Sequence, residues 1–368
     1  MNVEEVSVAW TISGGKRLSK KCHVPSKRLL SLIAEGEILI GGLLQTEHSS
    51  RAVVRSLSVT LGIVTLEGYG GSYPVREEYM HVTSAIEGPI SLVPFFWQTS
   101  ESVLSPAWNF ENIKKCFENE LMAARFGKFL DHRVILDIIL DPWAGSQFIH
   151  EVVGHSLEAD NFLSYTRGCG VDIGTKISEL PICVFDDPSS GLNRGSYKYD
   201  DEGVLGQRVA LIEKGVVTNV LTDKATAYLL GTTSNGHGRR IAKNSRILPR
   251  MSTTVLEAGS STLSKLIGGI EAGLLCRGCW VGGSQGNTFM LRPTHGQLIK
   301  GGHLVNEFVR RFDLLGEKFE TLRRVDGIGD DLAIFTPAFG CAKDGQDNLP
   351  IAAGAPHIRI RSANLRPI

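Results

Sequence analysis

The segment FIHEVVGHSLEAD, Phe148 to Asp160, decides how this chain is read. It sets His150, Glu151 and His155 in the order of a zinc-protease helix, but its histidines are five residues apart where the familiar H-E-x-x-H places them four apart. On a regular α-helix, residues four apart are offset by about 40°, and residues five apart by about 140°. Two side chains that share one cation must face the same way, so a regular helix fails at this spacing. A π-bulge restores the alignment, and such bulges concentrate at functional sites. Gly154, directly before His155, eases a local deformation. The spacing therefore predicts a helix distorted between the histidines. The competing reading is chance, with His150 and His155 as partly buried polar residues bonded to Glu151, Glu158 or Asp160.

The flanks support a helix. HRVILDIILDP, His132 to Pro142, has the Val/Ile/Leu content of a buried strand. Asp141-Pro142 then reads as an N-cap followed by proline at the first helical position, opening a helix from Trp143 to about Phe162.

A catalytic zinc takes three protein ligands and leaves one place open. Glu151, beside the first histidine, suits a general base that takes a proton from the attacking water and passes it to the leaving amine. Three candidates stand for the third ligand. Glu158 and Asp160 lie close behind His155, and Cys341 sits far along the chain in FGCAKDGQ, in an expected loop between Gly340 and Gly345. Spacing leaves the choice among them open.

Composition narrows the class. Of 368 residues, 42% are hydrophobic and 21% charged, as in globular domains, and the length suggests two domains or one large wrapped one. Lys+Arg and Asp+Glu are both 39, so the basic surplus of a nucleic-acid binder is missing. No apolar run reaches membrane-spanning length, and MNVEEVSVAW lacks the basic-then-apolar layout of a signal peptide, so the cytoplasm is the expected location. Seven scattered cysteines do not form a disulfide framework, and the lone C-x-x-C at Cys276–Cys279 reads as ordinary packing with free thiols. GYGGSYP lacks the G-K-[ST] ending of a phosphate loop.

Up to about residue 100 the chain reads as strands: EEVSVAWTI, RSLSVTLGIVTLEG and VREEYMHVTSAI, with a turn at Tyr69 to Pro74 and a short helix at Pro25 to Gly36. Asn109 to Leu130 reads as an amphipathic helix linking the two halves. VALIEKGVVTNVL and GQLIKGGHLVN each read as β-rich arms about a tight turn. Glu307 to Val325 reads as helical with a glycine interruption. The expected fold class is α+β with mixed, mostly antiparallel sheets. A smaller N-terminal α/β domain (1–125) would precede a large C-terminal domain (126–368) that holds the metal-binding helix.

Four ordered blocks resemble one known family, the TldD/PmbA metallopeptidases. HEVVGHSLEAD is similar to its H-E-A-x-G-H-x-L-E-G-D core. FDDPSSGLNRGSYKYDDEGV (Phe185 to Val204), NGHGRRIAKNSRILPRMSTTVLEAG (Asn235 to Gly259) and CAKDGQDNLPIAAGAPHIRI (Cys341 to Ile360) follow in the family's order and spacing. The resemblance covers about residues 130 to 360. The stretch before it matches poorly, and the chain is shorter than family members usually are. Ser156, Ala159 and Ala342 stand where small glycine-like residues are usual. The resemblance implies a cytosolic Zn2+ peptidase, with the metal on His150, His155 and Cys341, Glu151 as base, and Glu158 and Asp160 behind the ligands. It further implies small unfolded peptides as substrates, held by strand addition in a cavity between two subunits. The intact motif places the chain on the catalytic, TldD-like side, as a homodimer or a heterodimer with a TldE/PmbA-like paralogue.

Arg194, Arg239 and Arg250 are candidates for holding a substrate carboxylate or carbonyl, since a guanidinium offers a planar fork of donors. Each, like Arg240, has a structural salt bridge as its alternative, with Asp200, Asp201 and Glu202 as partners for Arg194. His237, His295 and His357 read as surface or core polar residues. Two other functions compete: an amide hydrolase specialised for a secondary-metabolite or modified-peptide intermediate, and a non-catalytic subunit that binds peptides or a paralogue.

Overall fold

The computed structural model describes the strands within residues 6–99 and residues 119–368 apart from 121, 124, 125, 190–192, 194, 338 and 339. The chain divides into two compact units, Met1–Glu67 with Arg76–Lys128, and Gly68–Val75 with Phe129–Ile368.

The first unit holds a five-stranded sheet in the order Lys16–Lys20, Val6–Ser13, Val53–Leu66, Val75–Glu87, Leu92–Thr99. Val6–Ser13 runs antiparallel to both its neighbours, and Val75–Glu87 antiparallel to Leu92–Thr99. The alternating apolar stretches of the sequence thus form strands. The expected helix at Pro25 to Gly36 and turn at Tyr69 to Pro74 lie outside the described residues, as does most of Asn109 to Leu130.

The second unit is built on two sheets. One has ten strands. Eight of them lie side by side in the order Val281–Gln285, Thr288–Arg292, Phe312–Glu317, Ile358–Pro367, Val134–Leu140, Ala272–Arg277, His295–Lys300 and His303–Arg310. Val134–Leu140 pairs antiparallel with Ile358–Pro367 and parallel with Ala272–Arg277. The other has six strands, in the order Val216–Val217, Val209–Glu213, Val184–Asp186, Thr253–Leu256, Ala352–Ala355 and Ala333–Phe335. The fold is therefore mixed α+β. Both anticipated hairpins form, and their turns need left-handed backbone, supplied at Lys214 and Gly215 (φ 49° and 81°) and at Gly301 and Gly302 (φ 54° and 74°).

The helix Pro142–Ile149 packs on strands of both sheets. Asp141 caps it by accepting the Ala144 amide at 2.8 Å, and it also takes the Gly278 amide at 2.9 Å. Close approach follows from small residues: a Cβ at Gly145 would stand 3.0 Å from the Pro356 carbonyl oxygen, and the strand beneath reads AAGA at Ala352–Ala355. Phe148 meets the edge of Phe289 at 5.4 Å between ring centres, inside the main core.

Three expectations need correction. The helix does not run unbroken to Phe162. It ends with Leu157, because Glu158 turns extended (ψ 126°) where the chain pairs with Leu221: the Leu221 amide donates to Leu157, and the Ala159 amide to Leu221. Glu307 to Val325 is not helical until Lys318. It is the end of one strand, a bend at Arg311 (φ 56°), the strand Phe312–Glu317, and then a helix of six residues. Buried Arg310 and Asp313 put charges inside, which made strand alternation look like a helical polar face. Gly154 keeps ordinary helical angles (φ −54°, ψ −62°), and its lack of a side chain serves contact instead: a Cβ there would lie 2.0 Å from Met251 Sδ.

Among the described residues no helix is long and apolar enough to cross a membrane. Cys276 and Cys279 are buried and free.

Candidate metal centre

The spacing puzzle is resolved in the backbone. After Pro142–Ile149 the helix widens to a π-turn over His150–Gly154, closed by the His155 amide donating to the His150 carbonyl. The extra residue brings the two imidazoles to one side, with ring centres 4.8 Å apart and planes at 80°. Cys341 reaches them from the other end of the unit. It opens the short strand Cys341–Lys343, which pairs with Gln346–Leu349 across a turn at Asp344 and Gly345 (φ 49° and 75°). Its Sγ lies 3.4 Å from His155 Nε2, and one donor atom from each of His150, His155 and Cys341 falls within 4.8 Å of the others.

All three side chains are buried, and Nδ1 of His150 has no hydrogen-bond partner. A buried polar atom left so is costly unless something else satisfies it. Two imidazole nitrogens and one thiolate sulfur form a donor set that suits Zn2+. The residues present therefore fit the metal.

The electrostatics agree. Burial pushes the Cys341 thiol up, but the charges and hydrogen bonds of His155 and His150 outweigh it and hold the thiol well below its ordinary range. Burial pulls His155 down, but Cys341 and Glu158 raise it further, well above the usual histidine value. A lowered thiol favours the thiolate, the form in which cysteine binds a metal. Glu158, fully buried, accepts from His155 Nδ1 at 2.9 Å. Burial raises its carboxyl, but Lys343, His155 and Arg250 together hold it far below the carboxylate range.

Glu151 projects beside Val281–Gln285, the last strand of its sheet among the described residues, where a Cβ added at Gly282 would stand 3.2 Å from its Oε1. Lys318 and Tyr165, which sequence reasoning passed over, stand nearby. Lys318 Nζ lies 3.3 Å from the Tyr165 hydroxyl, which itself lies 3.4 Å from the His155 carbonyl oxygen. Burial brings the Lys318 ammonium down to about 8, against the pull of Glu151 and Glu158.

The remaining candidates divide. Asp160 meets Lys343 at 2.6 Å, not an imidazole. Arg250 is fully buried and donates to the Cys341 carbonyl at 2.9 Å. Arg239 stacks over Tyr197 and donates to the carbonyls of Met251 and Pro350. Arg239 thus spends its fork on the protein's own carbonyls, while Arg250 gives one nitrogen to a carbonyl and sets its Nε 3.9 Å from Glu158 Oε1. Arg240 is tied to Asp201 and to the Lys243 carbonyl, and Arg194 lies outside the described residues. His237, His295 and His357 are buried polar residues; His237 bonds Asp186 and His357 bonds Asp331. The loop expected around Cys341 is instead the strand Cys341–Lys343, and with the segment read as a loop nothing in the sequence singled out Lys343.

Comparison with known proteins places these features. A family profile described as the PmbA/TldA metallopeptidase C-terminal domain matches residues 134–366. A metalloprotease of Methanothermobacter thermautotrophicus is 37% identical over 232 residues, 62% of this chain and 49% of that protein. A zinc metalloprotease TldD homolog of Saccharolobus solfataricus is 31% identical over 231 residues, 61% of this chain and 50% of its own. The chain thus spans about half the length of the curated relatives it matches. The crystal structure of TldE from Thermococcus kodakarensis shares the fold at a TM-score of 0.70 and 16% identity, covering 99% of this chain and 95% of that one. With the profile spanning well over half of it, the chain belongs to the TldD/PmbA metallopeptidase family.

Proposed function

We propose that this protein is a zinc-dependent metallopeptidase that hydrolyses amide bonds of small unstructured peptides. The observation that carries the reading is the meeting of His150, His155 and Cys341 donors within 4.8 Å in a buried site. These three side chains would hold Zn2+. When bound, the metal supplies Lewis acidity, which polarises a carbonyl and lowers the pKa of water.

The chain's own residues supply the rest. Glu151 follows His150 directly and is not part of the donor cluster, so its carboxylate is left to take a proton from the attacking water and return it to the leaving amine. Glu158 holds Nδ1 of His155 and so fixes which nitrogen faces Cys341. Val281–Gln285 is the last strand of its sheet among the described residues, and it runs beside Glu151. An extended peptide adding there would be held through its own backbone, with little demand on side chains. Gly282 and Gly283 keep that approach open. Cytoplasmic location and assembly, as a homodimer or with a TldE/PmbA-like paralogue, complete the proposal.

The test is metal analysis of the purified chain together with hydrolysis of unstructured peptides by the wild type and the Glu151→Gln variant. One zinc per chain and a loss of turnover of roughly 100-fold or more in the variant are expected. Undiminished turnover removes Glu151 as the base.

A further inference from the structure

Behind the donor cluster lies a second, buried set of charges drawn from the same two stretches of chain. Cys341 and Lys343 stand two residues apart on one short strand, and although the pairing register shifts between them, both side chains reach the same imidazole–carboxylate pair. Cys341 Sγ meets Nε2 of His155 at 3.4 Å. Lys343 Nζ meets Oε2 of Glu158 at 3.0 Å, and that oxygen meets Nδ1 of His155 at 2.9 Å. A single hairpin strand therefore grips the imidazole at both nitrogens, at one directly and at the other through Glu158. The Lys343 ammonium has three donors, and all are used: on Glu158, on Asp160 at 2.6 Å and on the Pro249 carbonyl at 3.0 Å. Arg250 ties the same two parts together, with Nη2 on the Cys341 carbonyl and Nε 3.9 Å from Glu158 Oε1.

A carboxylate facing one ring nitrogen sets the tautomer and aim of a ligating histidine. A carboxylate buried this deeply is costly without a compensating cation. Lys343 compensates it from the strand that also delivers the thiol.

We propose that Lys343 is a positioning residue of the metal centre: it pins Glu158 against Nδ1 of His155, leaves Nε2 turned toward Cys341, and sets the register in which the hairpin presents the thiol. This deepens the reading of His150, His155 and Cys341 as ligands and rests on it.

The experiment measures zinc affinity of the 368-residue chain by competition with a chromogenic chelator. It compares wild type, Lys343→Met, Glu158→Gln and the double variant, and adds the electronic spectrum of each after cobalt substitution. Lys343→Met should weaken zinc binding roughly 10–100-fold and diminish the sulfur-to-cobalt charge-transfer band. In the Glu158→Gln background the same change should cost less than about threefold, because Lys343 acts through Glu158. An unchanged affinity and spectrum in Lys343→Met, or an equal loss with and without Glu158, overturns the proposal. Should Lys343→Met fail to fold, the double variant, which leaves neither half of that ion pair buried alone, decides by matching or falling below Glu158→Gln. A wild-type chain that takes up no zinc overturns the ligand reading itself, a separate failure visible before any variant is made.

Discussion

Cys341 Sγ stands 3.4 Å from His155 Nε2 across 186 residues of chain. Their meeting depends on two unrelated local devices, a π-turn in a helix and a tight hairpin turn.

Replacing that sulfur tests the contact directly. Cys341→Ser keeps the shape but loses the soft donor. Zinc affinity should fall by more than the roughly 10–100-fold that loss of a group behind a ligand costs. Zinc held at a thousand times its dissociation constant adds about 4 kcal/mol to folding. A strong chelator should therefore lower the melting temperature of the wild type and leave Cys341→Ser where it was. Calorimetric scans with and without chelator check this, and equal chelator shifts in both proteins would sink it.

Gly154→Ala should damage the turn that carries His155. The new methyl would lie 2.0 Å from Met251 Sδ, and Met251 is itself fully buried with its amide 3.3 Å from Glu158 Oε1. Overpacking of this kind costs about 1–3 kcal/mol. Gly154→Ala should cost less in a Met251→Ala background than in the wild type, since the two changes share one clash. Urea unfolding of the metal-free single and double variants measures it, and strictly additive penalties would rule the clash out.

Asp186 predicts how the fold meets acid. Burial pushes its carboxyl up, but His237, Ser252 and Thr254 bond to it and bring it below the ordinary carboxylate value. A folded value below the unfolded one, about 3.9, means a stabilisation present above that pH and lost as pH falls through the folded value. Asp186→Asn should flatten the loss of stability below about pH 4 while costing about 1–3 kcal/mol near neutrality, where the buried groups bonded to the carboxylate lose an acceptor. Unfolding free energies followed from neutral to acid pH give the comparison, and an unchanged acid limb in the variant would refute it.

The separation of local from distant causes explains how much could be read in advance. Five-residue spacing of His150 and His155 demanded a distorted helix, and a π-turn is there. Asp141 before Pro142 demanded a helix start, and the Asp141 carboxylate caps it. Lys214-Gly215 and Gly301-Gly302 demanded tight turns, and hairpins close over both. In each case the deciding atoms lie within one or two turns of chain, so the residues themselves carry the information.

What the residues alone left open was set by partners far away in the chain. Spacing could not choose among Cys341, Glu158 and Asp160; in the fold Glu158 takes the Nδ1 side of His155, Asp160 turns to Lys343, and Cys341 is left facing Nε2. The helix stops at Glu158 because Leu221 offers its backbone an alternative pairing, and Phe312–Glu317 is a strand because Thr288–Arg292 and Ile358–Pro367 flank it. Hydrogen bonds and buried ion pairs between distant segments form only when the whole unit closes. Local sequence therefore determined the shape of each piece, while tertiary packing decided which pieces share one buried charge cluster.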